Sequence, residues 1–577
     1  MTAGVDDTGL LSAVQQLRRE VQGASFPLDI PGVAEARASQ SALLKQLDDY
    51  VIPRLTSLDA PLLTVVGGST GAGKSTLVNS LAGAVVSRVG VLRPTTRLPV
   101  LVHNGEDERW FTGSRILPGL ARITGADGAG GAHDDQDGKD GHNSVRLVAS
   151  NSLPAGLALL DAPDIDSVVR ANRDLARQLL SAADLWLFVT TAARYADAVP
   201  WDLLRGASER GTSVAIVLDR VPPEAMDEIR THLASMLREQ GLASAPIFTV
   251  AETTVTADGL LSRQEIARLH SWLSSLARDA KARSIVVRRT LTGALTSSRD
   301  TALALAVATA EQEAASAALH QEVTAAYVAA TKAVEHGMTD GTLLRGEVLA
   351  RWQEFVGTGE FLRQVEVGIS RLRDRIAALF RGTPAPTSQL GEALQSGVAE
   401  LLTAQSRGAL AAVLRRWRQL PGGPELVAAQ PELARPAPQS AAKVERLVRD
   451  WQGEVLDLVR GEGKDRRTTA RVLSFGVNGI AVILMLVVFS HTGGLTGGEV
   501  GIAGGSAVLA QRILEAIFGD QAVRDMAEQA RRKLMAKTED LYAGEQARLH
   551  AAVAAVEVSA GQAARIKAAS IAVEAAR

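Results

Sequence analysis

Between the apolar run Leu62-Leu63-Thr64-Val65-Val66 and the stretch Leu77-Val78-Asn79-Ser80-Leu81, the chain reads GGSTGAGKST over residues 67–76. Residues 68–75 fit G-x-x-x-x-G-K-[ST]. Glycines in that pattern let successive backbone N–H groups converge on phosphate oxygens, and a helix starting at Lys74 adds the positive end of its dipole. Lys74 is expected to reach the β and γ phosphates, and the Ser75 hydroxyl to ligate Mg²⁺. The candidate cradle is therefore Gly68, Ser69, Thr70, Gly71, Ala72, Gly73, Lys74, Ser75 and Thr76.

Two further positions fit this chemistry. In VGVLRPTTRLPVLV, Thr96, with Thr95 beside it, has a hydroxyl and a carbonyl that a mobile loop can close over Mg²⁺ and the γ phosphate; the alternative is an ordinary surface turn. In LALLDAPDID, Asp161 ends an apolar strand, where a carboxylate holds the Mg²⁺ water shell or caps the helix that follows.

GGSTGAGKSTLVNSLAG, RPTTR, LLDAPDIDS and DLWLFVT, in that order, resemble the G domain of Era-like and dynamin-like GTPases over residues 61–255. The resemblance implies GTP as substrate with Mg²⁺, phosphates on Gly68 to Thr76, a first switch at Thr95/Thr96 and a second opening at Asp161. The chain departs from the family pattern in three places. Asp164 stands where the second switch has glycine, and its charge is expected to repel a phosphate if it faces inward. Asp219-Arg220-Val221-Pro222 replaces the guanine-reading box, with Pro222 in place of the base-pairing aspartate. Arg220 remains able to stack on the base, and Ala251-Glu252-Thr253 matches the last base-contacting loop weakly. Thr70-Gly71 replaces the polar pair that dynamins carry before Ala-Gly-Lys. Arg194 is read either as a substitute charge or as a helix start. An ATP-driven transporter reading fails for want of a Leu-Ser-Gly-Gly-Gln signature and a strand-terminal Asp-Glu pair.

The elements that must hold these residues follow from texture. Short apolar runs alternate with helical stretches from about 61 to 255, which predicts an α/β P-loop G domain, a mixed sheet with helices on both faces. Residues 1–57 read as an N-terminal helical segment and 58–262 as the G domain, with a disordered insertion at about 125–143. Residues 263–465 read as a long all-α bundle or stalk, broken at 382–389, 421–425 and 430–440. The run 272–291 reads as the first stalk helix leaving the G domain, and the aromatics of 343–361 as core. Residues 521–577 read as a helix returning to the bundle.

Between these lies VLSFGVNGIAVILMLVVFS (472–490), 19 uncharged residues. As a helix it spans ~28 Å, close to the hydrocarbon thickness of a bilayer. Lys464, Arg466, Arg467 and Arg471 precede it; Arg524, Arg531, Arg532 and Lys533 follow the shorter apolar stretch after it. Basic flanks on both sides suit a hydrophobic membrane hairpin over 466–520 on an anionic cytoplasmic membrane, with both termini cytoplasmic. The bland alternative is solvated helix faces.

Composition narrows the rest. Among 577 residues, 62 basic and 64 acidic side chains nearly balance, so no nucleic-acid partner is expected. The chain has no cysteine, which removes disulfides and thiolate chemistry. The start, MTAGVDDTGL, has no apolar core segment, so no cleaved signal peptide is expected. A G domain, antiparallel helices and an apolar hairpin together resemble a bacterial dynamin-like protein. That resemblance implies a homo-dimer or oligomer formed through G domains and a membrane remodelled or organised by GTP hydrolysis. An Era-like membrane switch without self-assembly and a degenerate G-domain scaffold are the alternatives.

Overall fold

The computed structural model describes residues 7–87, 98–113, 115–124, 144–167, 169–209, 211–339, 385–462 and 520–577. The chain divides into two units, one comprising Met1–Phe26, Gly32–Glu311 and Ser559–Arg577, the other Pro27–Pro31 and Gln312–Val558. Four sequence expectations lie wholly or mainly outside the described residues: Thr95/Thr96, the insertion at 125–143, the aromatics of 343–361, and the apolar segment 472–490. No helix among the described residues is long and apolar enough to cross a membrane.

The first unit is built on an eight-stranded sheet of order β3-β4-β2-β5-β1-β6-β7-β8. Its strands are β1 (Leu62–Gly68), β2 (Val100–His103), β3 (Ala121–Thr124), β4 (Ser144–Ala149), β5 (Leu157–Asp161), β6 (Leu185–Thr191), β7 (Ser213–Val221) and β8 (Ile247–Ala251). Among the described residues only the β2–β5 pair runs antiparallel, so the sheet is mixed.

Alternate residues of β1 show why helices must cover both faces. Leu63 and Val65 enter one buried cluster with Leu179 and Leu180 of the helix Arg170–Ser181, Leu204 of Ala198–Glu209, and Leu233 and Leu237 of Met226–Glu239. Leu62 and Val66 enter a second with Leu77, Val78 and Leu81 of Lys74–Ala82, and Ile266, Leu269 and Leu273 of Arg263–Arg278. The last of these corrects the expected exit from the G domain. Residues 272–291 are not one departing helix: the chain breaks at Asp279, and the Arg263–Arg278 helix keeps its i, i+3, i+7 apolar face on the sheet. The departing helix is Ala280–Thr339.

The N-terminal helix Asp7–Gly23 buries Val14, Leu17 and Val21, and it packs against Gln562–Ala575, whose Ile566, Ala569 and Val573 are buried. The end of the chain is therefore not one helix returned to the bundle. It breaks after Asp520–Ala554, and its last helix belongs to the sheet-bearing unit.

The second unit is helical, with Ala385–Trp417, Gly423–Ala429, Ser440–Glu462 and Asp520–Ala554 beside the later part of Ala280–Thr339. Helix Ala385–Trp417 starts inside the break expected at 382–389, with Pro386 in its first turn, where a missing N–H costs nothing. Buried aromatics use helix carbonyls as acceptors: Trp417 Nε1 donates to Leu319 O (3.0 Å), Trp451 Nε1 to Ala530 O (2.8 Å) and Tyr542 OH to Leu402 O (2.9 Å). Such bonds satisfy polar atoms that burial would otherwise orphan. Several basic residues of the expected membrane flank are paired here. Arg531 binds Glu335 (2.8 Å) and Glu528 (2.7 Å), and Lys533 binds Glu454 (3.3 Å).

Candidate phosphate-binding site

The strand register gathers the candidate residues at one edge of the sheet. Val66 pairs with Asp161, Gly68 with Val189, and Thr191 with Asp219, so the ends of β1, β5, β6 and β7 lie side by side. β1 is flanked by β5 and β6; the chain runs from β1 to β2 on one side and from β6 to β7 on the other. Crevices at such points, beyond the carboxyl ends of parallel strands, are where open α/β sheets bind ligands.

Two glycines are required by geometry. At Gly68 a Cβ would overlap the Val189 carbonyl oxygen of the adjoining strand. At Gly73, φ is +88° and a Cβ would overlap Asp219 Oδ2. This left-handed turn ends the loop and starts the helix at Lys74.

Lys74 is 5% exposed. Its Nζ donates to Ser69 O at 3.0 Å and forms an ion pair with Asp164. The Ser75 hydroxyl donates to Asp161 Oδ2 at 2.7 Å, and the Ser87 hydroxyl donates to the same oxygen at 2.6 Å. Asp161 is fully buried, and its Oδ1 has no hydrogen-bond partner among the described residues. Burial pushes this carboxyl above the usual carboxylate range, against the hydrogen bonds from Ser87 and Ser75 and the charge of Lys74. A serine hydroxyl and an ionisable carboxylate with a free buried oxygen, at the start of a helix, form a hard oxygen donor set. That set fits Mg²⁺, which takes one or two protein oxygens and completes its shell with water and substrate phosphate.

A second carboxylate also holds the cradle. Asp166 accepts from Thr70 N (2.6 Å), Thr70 Oγ1 (2.6 Å) and Arg194 (2.9 Å). Arg194 in turn donates to Thr70 O (2.9 Å) and to Asp197 (2.8 Å). Burial works to raise Asp166, but the bonds from Thr70 and the Arg194 charge outweigh it and hold the carboxyl below its ordinary value. Arg194 therefore sits on the cradle itself and is more than a helix start.

On the base side, β7 and β8 shift register between Leu218 and Val221, a bulge that leaves Asp219 and Arg220 out of the β7–β8 pairing. Asp219 is buried against Gly73, and burial raises its pKa. Its carboxylate thus lines the underside of the phosphate loop. Arg220 is exposed, in a left-handed conformation at φ +53°, with its Nε 3.8 Å from Asp219. Glu252 N donates to Val221 O at 3.0 Å, which brings Ala251-Glu252-Thr253 beside the Asp219–Pro222 segment.

Of the sequence candidates, then, the fold joins Ser75 and Asp161 by a hydrogen bond, brings the Lys74 charge to bear on Asp161 and sets Asp219 beneath Gly73. Sequence reasoning missed Ser87 and Asp166. Ser87 carries no motif, whereas Asp166 belongs to the Asp161–Asp166 run whose three carboxylates were a visible signal. Asp164 was expected to repel phosphate if turned inward; it is turned inward, and Lys74 is what it meets.

Residues 64–221 match the dynamin family. That match implies GTPase activity for the domain. No curated protein sequence matches the chain. Among solved structures, one chain of an oligomerised bacterial dynamin pair described as sensing and tethering membranes at long range shares 10% identity, with a TM-score of 0.42 over 99% of this chain and 95% of the other. A second chain carrying the same description shares 11% identity, with a TM-score of 0.29 over 94% and 82%. The bacterial dynamin GTPase LeoA from ETEC shares 11%, with a TM-score of 0.23 over 95% and 98%.

Proposed function

We propose that this protein is a Mg²⁺-dependent, dynamin-like GTPase that works on the cytoplasmic membrane as a homo-dimer or oligomer formed through its G domains. The observation that carries the nucleotide reading is the convergence of Lys74, Ser75 and Asp161 at the end of β1 and β5, on a glycine loop that opens a helix. GTP and water give GDP and phosphate: water bonds to the γ phosphorus and the bond to the β–γ bridging oxygen breaks. Backbone N–H groups of Gly68 to Ser75 orient the phosphates, and Lys74 places its charge on the β and γ oxygens. Ser75 and Asp161 would hold Mg²⁺, which neutralises charge on the phosphates when bound. Thr96 closes the site from the first switch in this reading. Arg220 packs on the base from outside the pocket.

The membrane reading is supported by the 19 uncharged residues of 472–490 and the helical unit that flanks them. It carries the location with it, both termini cytoplasmic.

Phosphate release from GTP and from ATP, with and without liposomes, tests the proposal together with flotation. GTP turnover that Lys74→Ala abolishes is expected, with GTP outcompeting ATP. Equal rates for wild type and Lys74→Ala leave only a scaffold. Flotation without nucleotide-dependent oligomers favours an Era-like switch, and failure to float removes the membrane part.

A further inference from the structure

The two aspartates that follow β5 are not where a repulsion argument puts them. Asp164 is 14% exposed and paired with the Lys74 ammonium, itself 5% exposed. A buried ammonium without a counter-charge is costly, so Lys74 needs an anion beside it. Asp164 supplies it. The loop carrying Asp164 is stitched to the phosphate loop on both sides. Ala162 N donates to Val66 O (3.2 Å), Ile165 N to Gly68 O (3.4 Å), and Asp166 takes two bonds from Thr70. Arg194 locks the same arrangement from outside by binding both Asp166 and Thr70 O.

We propose that Asp164 is a built-in anion plug, a carboxylate that occupies the Lys74 site until a nucleoside triphosphate displaces it. The inference rests on the nucleotide reading above and goes beyond it. Lys74 offers one desolvated positive charge, and two anions on it at once repel each other in a low-dielectric site. Phosphate entry therefore requires Asp164 to leave, and its departure frees the 162–167 loop from the cradle. The plug lowers affinity for nucleotide and makes the position of this loop depend on whether nucleotide is present.

The test is titration of the full chain with a fluorescent, non-hydrolysable GTP analogue and Mg²⁺, comparing wild type, Asp164→Asn, Asp164→Glu and Lys74→Ala. Asp164→Asn keeps the side-chain size and removes the charge; it is expected to bind about tenfold tighter. Asp164→Glu keeps the charge and stays near wild type. Asp164→Ala, with the same expected direction, serves if the asparagine variant does not fold. Wild-type binding with an Asp164→Asn affinity that is equal or weaker overturns the plug while leaving the GTPase reading in place. No binding by wild type or Asp164→Asn overturns both.

Discussion

Gly68→Ala puts the tightest contact of the site to a quantitative test. The added methyl overlaps the Val189 carbonyl oxygen, and it also lies 3.0 Å from Val189 C and 3.3 Å from Val189 N. All three are backbone atoms of β6, so no side chain is able to swing aside. Relief requires β1 and β6 to part by roughly 1 Å at the Gly68–Val189 pair, given ordinary van der Waals separations. Val189 is fully buried, so the stretched ladder groups do not regain water. Orphaning two such groups at about 1–3 kcal/mol each sets the loss at roughly 2–6 kcal/mol. For a domain of this size that corresponds to a drop of roughly 10 °C in melting temperature. Gly68 O also accepts from Ile165 N, so nucleotide binding is expected to fail at temperatures where the variant is still folded. The control is Gly259→Ala. Its φ is +74° and nothing lies within 4 Å of the new methyl, so only left-handed strain of about 1–2 kcal/mol applies. Thermal melting by circular dichroism, alongside analogue binding, reads both. A Gly68→Ala melting temperature equal to that of the control would refute the strand-parting argument.

Three further outcomes are expected. Arg54, buried and bound to Asp184 through Nε at 2.9 Å, to Ser57 O and to Ala60 O, leaves a buried carboxylate without its counter-charge when changed to alanine. About 3–5 kcal/mol of stability should go, read by urea denaturation. Asp161→Asn separates stability from turnover. Because burial raises the folded pKa of Asp161, its ionised form opposes folding at neutral pH, and that penalty fades as pH falls through the folded pKa. The nucleotide-free variant should melt higher than wild type at neutral pH while phosphate release drops at least ~10²-fold with the loss of a Mg²⁺ ligand; a lower melting temperature counts against this. Asp166 has the opposite sign. Its depressed pKa contributes stability above the unfolded value of about 4, lost as pH falls through the folded value. The melting-temperature gap between wild type and Asp166→Asn should therefore be constant near neutrality and close in strong acid.

Local pattern was enough to place the cradle. Gly68 to Ser75 are contiguous, and the constraints on them (a close strand, a left-handed turn, a helix start) act over a few residues. Alternating apolar runs likewise announced a sheet covered on both faces. The limits of the sheet domain were less legible. Arg263–Arg278 carries a helical apolar stripe that suits a stalk and a sheet equally well, and only its neighbours decide between them. The same holds for Gln562–Ala575, a stretch of alanine-rich helix whose partner, Asp7–Gly23, lies at the opposite end of the chain.

The amino-acid sequence by itself determined that a glycine loop of phosphate-cradle pattern precedes a helix starting at Lys74 and Ser75, and that a membrane-length apolar segment lies downstream. Those properties depend on residue type and near-neighbour spacing. Only tertiary structure decided what the cradle's charges face. Asp164 meets Lys74 across 90 residues of chain, Ser87 reaches Asp161 across 74, and Arg194 reaches Thr70 across 124. Such pairings depend on strand order and register, which place the ends of β1, β5 and β6 together. An aspartate that sequence logic marks as repulsive to phosphate becomes, once the sheet is assembled, the counter-ion of Lys74.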